Sequence, residues 1–308
     1  MLVEAARRGD RGALARLLSL VERGGEGARS IGRLTYPHGG HTYTVGITGA
    51  PGAGKSSLTN RIIEQVRSTG STIAVLAIDP SSPFTGGAIL GDRVRMQDHA
   101  LDDGVFIRSM ATRGHLGGLA LAAPEAVRVL DAAGVPLVII ETVGVGQVEV
   151  EVAGAADTTV VVVNPGWGDA VQANKAGLLE IADVFVINKA DRPGTLDTQR
   201  DLEQMLELTT EKQWRPPIVH TKAVDNDGAD RLVAAIADHR SHLESTGGLA
   251  ERRARRLEQE MREIIARSLE QRAYELASGE AFVRLLAQVL DRTVDPWTAA
   301  AHLIEASA

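Results

Sequence analysis

Residues 43–58 read YTVGITGAPGAGKSSL, and this stretch decides the fold class. Tyr43–Thr48 is a short, β-rich apolar run. Gly49-Ala50-Pro51-Gly52-Ala53-Gly54-Lys55-Ser56 then satisfies G-x-x-x-x-G-K-[ST] in full, Ser57 follows, and Leu58–Val66 carries helical spacing. Strand, glycine-rich turn and helix together form a phosphate cradle. Glycines let the backbone turn tightly with its N–H groups pointing inward. The helix N-terminus adds the positive end of its dipole. A lysine at position 55 reaches the β/γ-phosphates as a point charge, and the Ser56 hydroxyl is a Mg²⁺ ligand. A chance glycine-rich turn would not account for the flanking strand and helix.

Outward from this loop the same alternation recurs. Ile73–Asp79, Val105–Arg108, Leu137–Glu141, Thr159–Val163, Val184–Asn188 and Ile218–His220 are further strand candidates. Most are apolar at consecutive positions, which marks strands covered on both faces of a parallel sheet. Helical patterns such as Glu125–Ala133 and Leu196–Leu208 lie between them. The expectation is an α/β fold with a doubly wound, mostly parallel sheet and helical extensions at both ends. Residues 1–40 read as an N-terminal helix (Leu14, Leu17, Leu18, Val21) followed by a glycine- and charge-rich linker from Gly24 to Gly40. Residues 41–245 read as the sheet domain. Residues 246–308 read as a helical arm carrying Leu257, Met261, Ile264, Ile265 and Leu269, then Phe282, Leu285, Leu286 and Val289. Asp295-Pro296 opens a last short helix. Pattern alone leaves open whether the arm packs on its own domain or on a second subunit.

Composition removes several classes. The chain has 308 residues and no cysteine, so disulfides, thiolate metal sites and a cysteine nucleophile are excluded. Lys plus Arg is 33 against 40 for Asp plus Glu, and this net charge of −7 argues against nucleic acid as a partner. No apolar run approaches the ~20 residues that span a bilayer, and Met1–Asp10 is charged and lacks an apolar signal core. No membrane partner and a cytoplasmic location are expected.

The remaining candidates follow strands. Asn188-Lys189-Ala190-Asp191 sits directly after Val184–Ile187, about 140 residues beyond the phosphate loop. A carboxylate at Asp191 accepts from both N1–H and N2–H₂ of guanine, whereas adenine would leave it unmatched. The Lys189 stem can cover the base plane. Thr221-Lys222-Ala223, after the last strand, is a second candidate base contact, with a plain loop as the alternative. Asp79 and Asp92 bracket a turn-rich run at a strand end and are candidates for direct or water-mediated Mg²⁺ contact, or for simple caps. Glu141 ends a very apolar strand at the position where P-loop enzymes carry a Walker B acid. It would touch the metal through water or orient the attacking water, and Gln147 is a second candidate for orienting water. Asn164–Asp169 could form a mobile loop or a routine connection, with Gln172 and Lys175 on the helix that follows. Arg113 is a candidate phosphate or partner contact, or a surface charge.

GAPGAGKSS at 49–57, DPSSPFTGGAILGDRVRM at 79–96, IRSMATRGHLGGL at 107–119, ETVGVGQ at 141–147, NKAD at 188–191 and DPWTAA at 295–300 together resemble the MeaB-type (ArgK/MMAA-like) P-loop GTPases. These are G-protein chaperones of adenosylcobalamin-dependent methylmalonyl-CoA mutase, and the family has also been labelled an arginine/ornithine transport-system ATPase or kinase. The resemblance runs through nearly the whole chain. It implies GTP hydrolysis to GDP and phosphate with Mg²⁺, a homodimer joined through the C-terminal helices, a switch-dependent complex with a B12 mutase, and a third switch matching Gly166–Lys175. Two departures stand out. Metal-delivering relatives use cysteine motifs, so a metallochaperone role would fall to histidines such as His38 and His41. The Thr221-Lys222-Ala223 loop lacks the usual serine-alanine pair. An ATP-using kinase of amino-acid transport is the other reading.

Overall fold

In a computed structural model, residues 1–79, 99, 101–111, 118–142, 154–166, 180–208 and 213–306 are described; the side chains of Asp79, Ala111 and residues 118–121 are not. Seven strands form one parallel sheet: β1 (Tyr43–Gly49), β2 (Ile73–Asp79), β3 (Val105–Ala111), β4 (Leu137–Thr142), β5 (Thr158–Val163), β6 (Val184–Asn188) and β7 (Ile218–Thr221). Their order is β3-β2-β4-β1-β5-β6-β7. Each run expected as a strand is one. β1 is buried along its whole length, as are β5 and β6. That is why these strands read as continuous apolar runs rather than alternating ones.

The strand order reverses at β1. From β1 the chain runs outward to β2 and β3 on one side, returns to β4 beside β1, and then continues through β5, β6 and β7 on the other. Ligands of such sheets bind at this switch point, outside the carboxyl ends of the strands. The phosphate loop leaves β1 there.

Helix α1 (Leu2–Arg7), α2 (Arg11–Arg23) and α3 (Gly25–Thr35) precede β1. The α3 segment corrects an expectation, since the glycine-rich stretch from Gly24 was read as a linker. Ala28, Ile31 and Thr35 recur at helical spacing and are all buried, and this sparse stripe suffices because α3 is wedged against its neighbours. Asp10 caps α2 by accepting from the Ala13 amide at 2.9 Å, a contact worth about 1 kcal/mol. Leu14, Leu17, Leu18 and Val21 share a core with Leu76 and Ile78 of β2, Met110 of β3 and Ile140 of β4. Each fully buried leucine contributes about 1.5–3 kcal/mol. Helix α5 (Gly118–Ala132) lies in the same core through Ala126, Val129 and Leu130. On another core, α4 (Lys55–Ser68) and α7 (Ala229–Thr246) pack Leu58, Ile62, Ile63, Leu232 and Ile236 against β1, β5 and β6. Helix α6 (Thr195–Leu208) covers β6 through Leu202.

The chain divides into two compact units, Met1–Arg253 and Ala254–Ala308. The boundary falls within α8 (Gly248–Ala277), which is followed by α9 (Glu280–Leu290) and α10 (Pro296–Glu305). Asp295 caps α10 through the amides of Trp297 and Thr298, with Pro296 in the first turn where its missing N–H costs nothing. Neither α8 nor α9 contains a buried residue. Met261, Ile265, Leu269, Val283 and Leu290 are each more than half exposed. Among the described residues no helix is long and apolar enough to cross a membrane.

Candidate nucleotide-binding site

Three loops meet at the carboxyl edge of β1, β5, β6 and β7. The first is the phosphate loop. Gly49 has φ +137, and a Cβ there would collide with the Val162 carbonyl of β5. Gly54 has φ +92, and its Cβ would strike the Asn188 amide nitrogen. Both motif glycines are therefore dictated by backbone angle and close approach. Gly54 stands at the N-cap of α4 with no side-chain cap, so the first-turn amides remain available to an anion. Ser57 lies exposed in that first turn. Lys55 is buried, and its Nζ donates to the carbonyls of Gly49 (2.6 Å) and Ala50 (3.2 Å). The amine is thus held against the loop from which it would reach a phosphate. Pro51 is exposed at the loop's crown.

The second loop follows β6. Asn188, almost wholly buried, donates from Nδ2 to the Ala53 carbonyl at 2.8 Å. Its Oδ1 accepts from Thr221 Oγ1 at 3.1 Å and from the Ala223 amide at 3.2 Å. One side chain therefore ties the phosphate loop to both other loops. Lys189 adopts φ +59, a left-handed angle uncommon for a side-chain-bearing residue, and its Nζ donates to the Gly52 carbonyl at 2.7 Å. Asp191 is exposed and has no hydrogen bond to any described residue, which leaves both of its oxygens to accept from a ligand.

The third loop follows β7. Thr221 accepts from the Ala190 amide, and Lys222 pairs with Asp227 through its backbone and, at 3.7 Å, its ammonium. Arg61 of α4 donates to the carbonyls of Ala223 (2.8 Å) and Val224 (3.1 Å). The helix that begins at the phosphate loop thereby also clamps the second base-loop candidate. Sequence reading missed Arg61, whose partners are 162 and 163 residues away.

Glu141 is fully buried at the end of β4. It accepts from Ser56 Oγ at 2.6 Å and from Thr59 Oγ1 at 2.8 Å. The acid at the end of β4 and the serine of the phosphate-loop motif are thus joined directly. Ile78 pairs with Thr142 across β2 and β4, which brings the Asp79 backbone to the same edge. Asp92, Gln147, Arg113 and all of 167–175 lie outside the described residues. Asn164, after β5, donates weakly to the Gly52 carbonyl at 3.4 Å. His38 and His41 are exposed, and no metal-binding group of three or more histidine or acidic residues occurs among the described residues.

A strand-loop-helix phosphate cradle, with an exposed carboxylate placed across from it by the β6 loop, is the layout of a guanine-nucleotide enzyme. The family described as Methylmalonyl Co-A mutase-associated GTPase MeaB matches residues 14–278. The chain belongs to the MeaB family of GTPases. A protein of Pyrococcus abyssi named as a GTPase is 49% identical over 99% of this chain and 95% of its own. GTPase ArgK of Escherichia coli is 35% identical over 98% of this chain and 95% of its own. The crystal structure of a protein named LAO/AO transport system kinase superposes with TM-score 0.74 and 28% identity, covering 99% of this chain and 95% of that one. As a member of this GTPase family the chain binds guanine nucleotide and hydrolyses GTP to GDP and phosphate. The parallel P-loop fold with helical ends is likewise as the sequence led one to expect.

Proposed function

We propose that this GTPase is a Mg²⁺-dependent G-protein chaperone of an adenosylcobalamin-dependent mutase of the methylmalonyl-CoA type, gating cofactor loading or protection. The family match over 14–278 carries this reading. A relative in Caenorhabditis elegans, named Methylmalonic aciduria type A homolog, mitochondrial, is 32% identical over 80% of this chain and adds support.

In this reading, the amides of Gly52, Ala53, Gly54, Lys55, Ser56 and Ser57 and the Lys55 ammonium hold the phosphates. Asp191 recognises guanine, Lys189 lies along the base, and Asn188 with Thr221, Lys222 and Ala223 fixes the loops around it. The donor set fits magnesium: Ser56 offers a hard oxygen, Glu141 stands beside it, and Mg²⁺ takes one or two protein oxygens besides phosphate. Bound there, the ion would supply positive charge to the β/γ-phosphates. Asp79 and Asp92 are proposed at the same centre, and Gln147 and Glu141 orient the attacking water. For a loose transition state the protein's part is positioning and charge stabilisation. Hydrolysis then releases the switch segments and changes affinity for the partner.

We also propose that residues 1–40, 41–245 and 246–308 act as N-terminal layer, G domain and dimerising arm. The exposed apolar residues of α8 and α9 support a homodimer. Capture of a purified mutase by the protein loaded with a GTP analogue, but weakly with GDP, is the expected result; equal capture by both forms overturns the chaperone role. The transport-kinase name of the solved neighbour keeps one other reading in view, an ATP-using enzyme of amino-acid transport. Competition separates them, because ATP displacing GDP at concentrations similar to GTP would favour the kinase.

A further inference from the structure

Thr59 belongs to no recognised motif, yet it lies at the centre of the buried polar cluster under the phosphate loop. It stands on α4 one helical turn beyond Lys55 and Ser56, and both it and Glu141 are fully buried. Ser56 Oγ donates to one oxygen of the Glu141 carboxylate at 2.6 Å, and Thr59 Oγ1 donates to the other at 2.8 Å. Two hydroxyls from one helix face therefore cap both oxygens of an acid delivered by β4.

We infer that Thr59 is a positioning residue, whose hydroxyl fixes the Glu141 carboxylate so that Ser56 presents its oxygen lone pairs to the metal. The inference rests on the magnesium reading above. A glutamate has one more side-chain torsion than the aspartate commoner at this position, so each hydrogen bond to its carboxylate narrows a wider rotation. The bond from Thr59, to the oxygen opposite the one Ser56 reaches, fixes the rotation of the carboxylate plane about the Ser56 contact. Ser56 then keeps its O–H committed to Glu141, which leaves its lone pairs facing away from the acid.

A structural alternative is built into the same site. Thr59 Oγ1 also lies 3.0 Å from the Lys55 carbonyl, the back-bond a helical threonine commonly makes. One hydroxyl proton cannot serve both acceptors fully, and a carboxylate is the stronger acceptor. If the back-bond were the whole role, removing the hydroxyl would alter stability alone.

The test uses the full chain and two readouts: dissociation of fluorescent mant-GDP across a Mg²⁺ titration, and GTP turnover. Thr59→Val is expected to raise the Mg²⁺ midpoint for nucleotide retention about 10- to 100-fold and to lower kcat by a similar factor. KM for GTP at saturating Mg²⁺ should stay within about threefold of the parent, and Thr59→Ser should restore both readouts. Thr59→Ala gives the same reading if the valine variant does not fold. A hydroxyl-less variant with the parent's Mg²⁺ midpoint and kcat, or a serine variant as impaired as valine, overturns the role of Thr59. A parent protein indifferent to Mg²⁺ overturns the magnesium reading, and this inference with it.

Discussion

The two ends of the parallel sheet use similar chemistry for opposite purposes. At the amino ends, Asp157 precedes β5 and Asp183 precedes β6. Asp157 is wholly buried and accepts from the Thr44 amide at 3.0 Å and from Arg253 Nη2 at 2.7 Å. Asp183 accepts from the Thr159 amide at 2.8 Å and forms a two-pronged pair with Arg252 at 2.7 and 2.9 Å. Thr158 sits between Tyr43 Oη at 2.6 Å and His239 Nδ1 at 2.8 Å. Burial pushes the Tyr43 phenol up to about 12, the Thr158 hydrogen bond opposing it. At the carboxyl ends of the same strands, Asn188 and Lys189 brace the loops, while Asp191 is exposed and makes no hydrogen bond to any described residue. A charge whose partners are supplied within the fold is a fastener. A charge held in place with bonding capacity left over can recognise a ligand. Proximity to a strand end does not distinguish the two; the count of partners does.

The most forceful way to break this comparison is Asp157→Ala. It leaves Arg253 half-buried without its carboxylate, and stability should fall by about 3–5 kcal/mol, read from urea unfolding, with nucleotide affinity kept in the folded fraction. Lys55→Ala tests the other end. GTP turnover should drop about 100- to 1000-fold, with a far smaller change in unfolding midpoint than Asp157→Ala produces. Similar stability losses in both variants would erase the distinction.

Asp191→Asn sharpens it further. GTP affinity should fall about 10- to 100-fold, and preference should move toward xanthine nucleotides, because the carboxamide presents a donor where guanine also has one. Unaltered base preference, measured by competition, would remove Asp191 from the base site. A last test concerns the pH dependence set by His239. Its pKa is lowered to about 4, chiefly by burial, with Arg252 and His242 adding to the shift and Asp183 opposing it. Between pH 6.5 and 4 the unfolded chain binds a proton that the folded chain does not. Stability should therefore decline as pH falls below about 6.5 and stop declining from this source near 4. His239→Gln should flatten that part of the pH profile; an unchanged slope in urea unfolding between pH 7 and 5 would assign it to other groups.

Much of this was legible before folding. β1, β5 and β6 announced themselves because each is enclosed on both faces and so spelled as an apolar run, whereas the edge strand β7 is only partly covered. The phosphate loop announced itself because Gly49 and Gly54 take positive φ, a backbone choice that glycine makes readily. What escaped depended on distant partners. Helix α3 looked like a linker because only Ala28, Ile31 and Thr35 mark its buried face. The run Glu251–Arg256 read as a charged helix start, and nothing local showed that Arg252 and Arg253 reach back 69 and 96 residues to buried acids. The Ala-Asp pairs that precede β5 and β6 were the available signal. Thr59 gave none, since a threonine in a helix looks ordinary until Glu141 is placed against it.

By itself, then, the sequence determined the order of elements, the glycine-rich turn after β1 and the place of the Asn188–Asp191 loop after β6, since each is encoded in contiguous residues whose backbone angles and apolar spacing are short-range properties. Tertiary structure alone decided which acids are fasteners and which stay open, and which hydroxyls orient Glu141. Hydrogen-bond partners are fixed by where strands and helices meet in space, and that pairing is invisible along the chain.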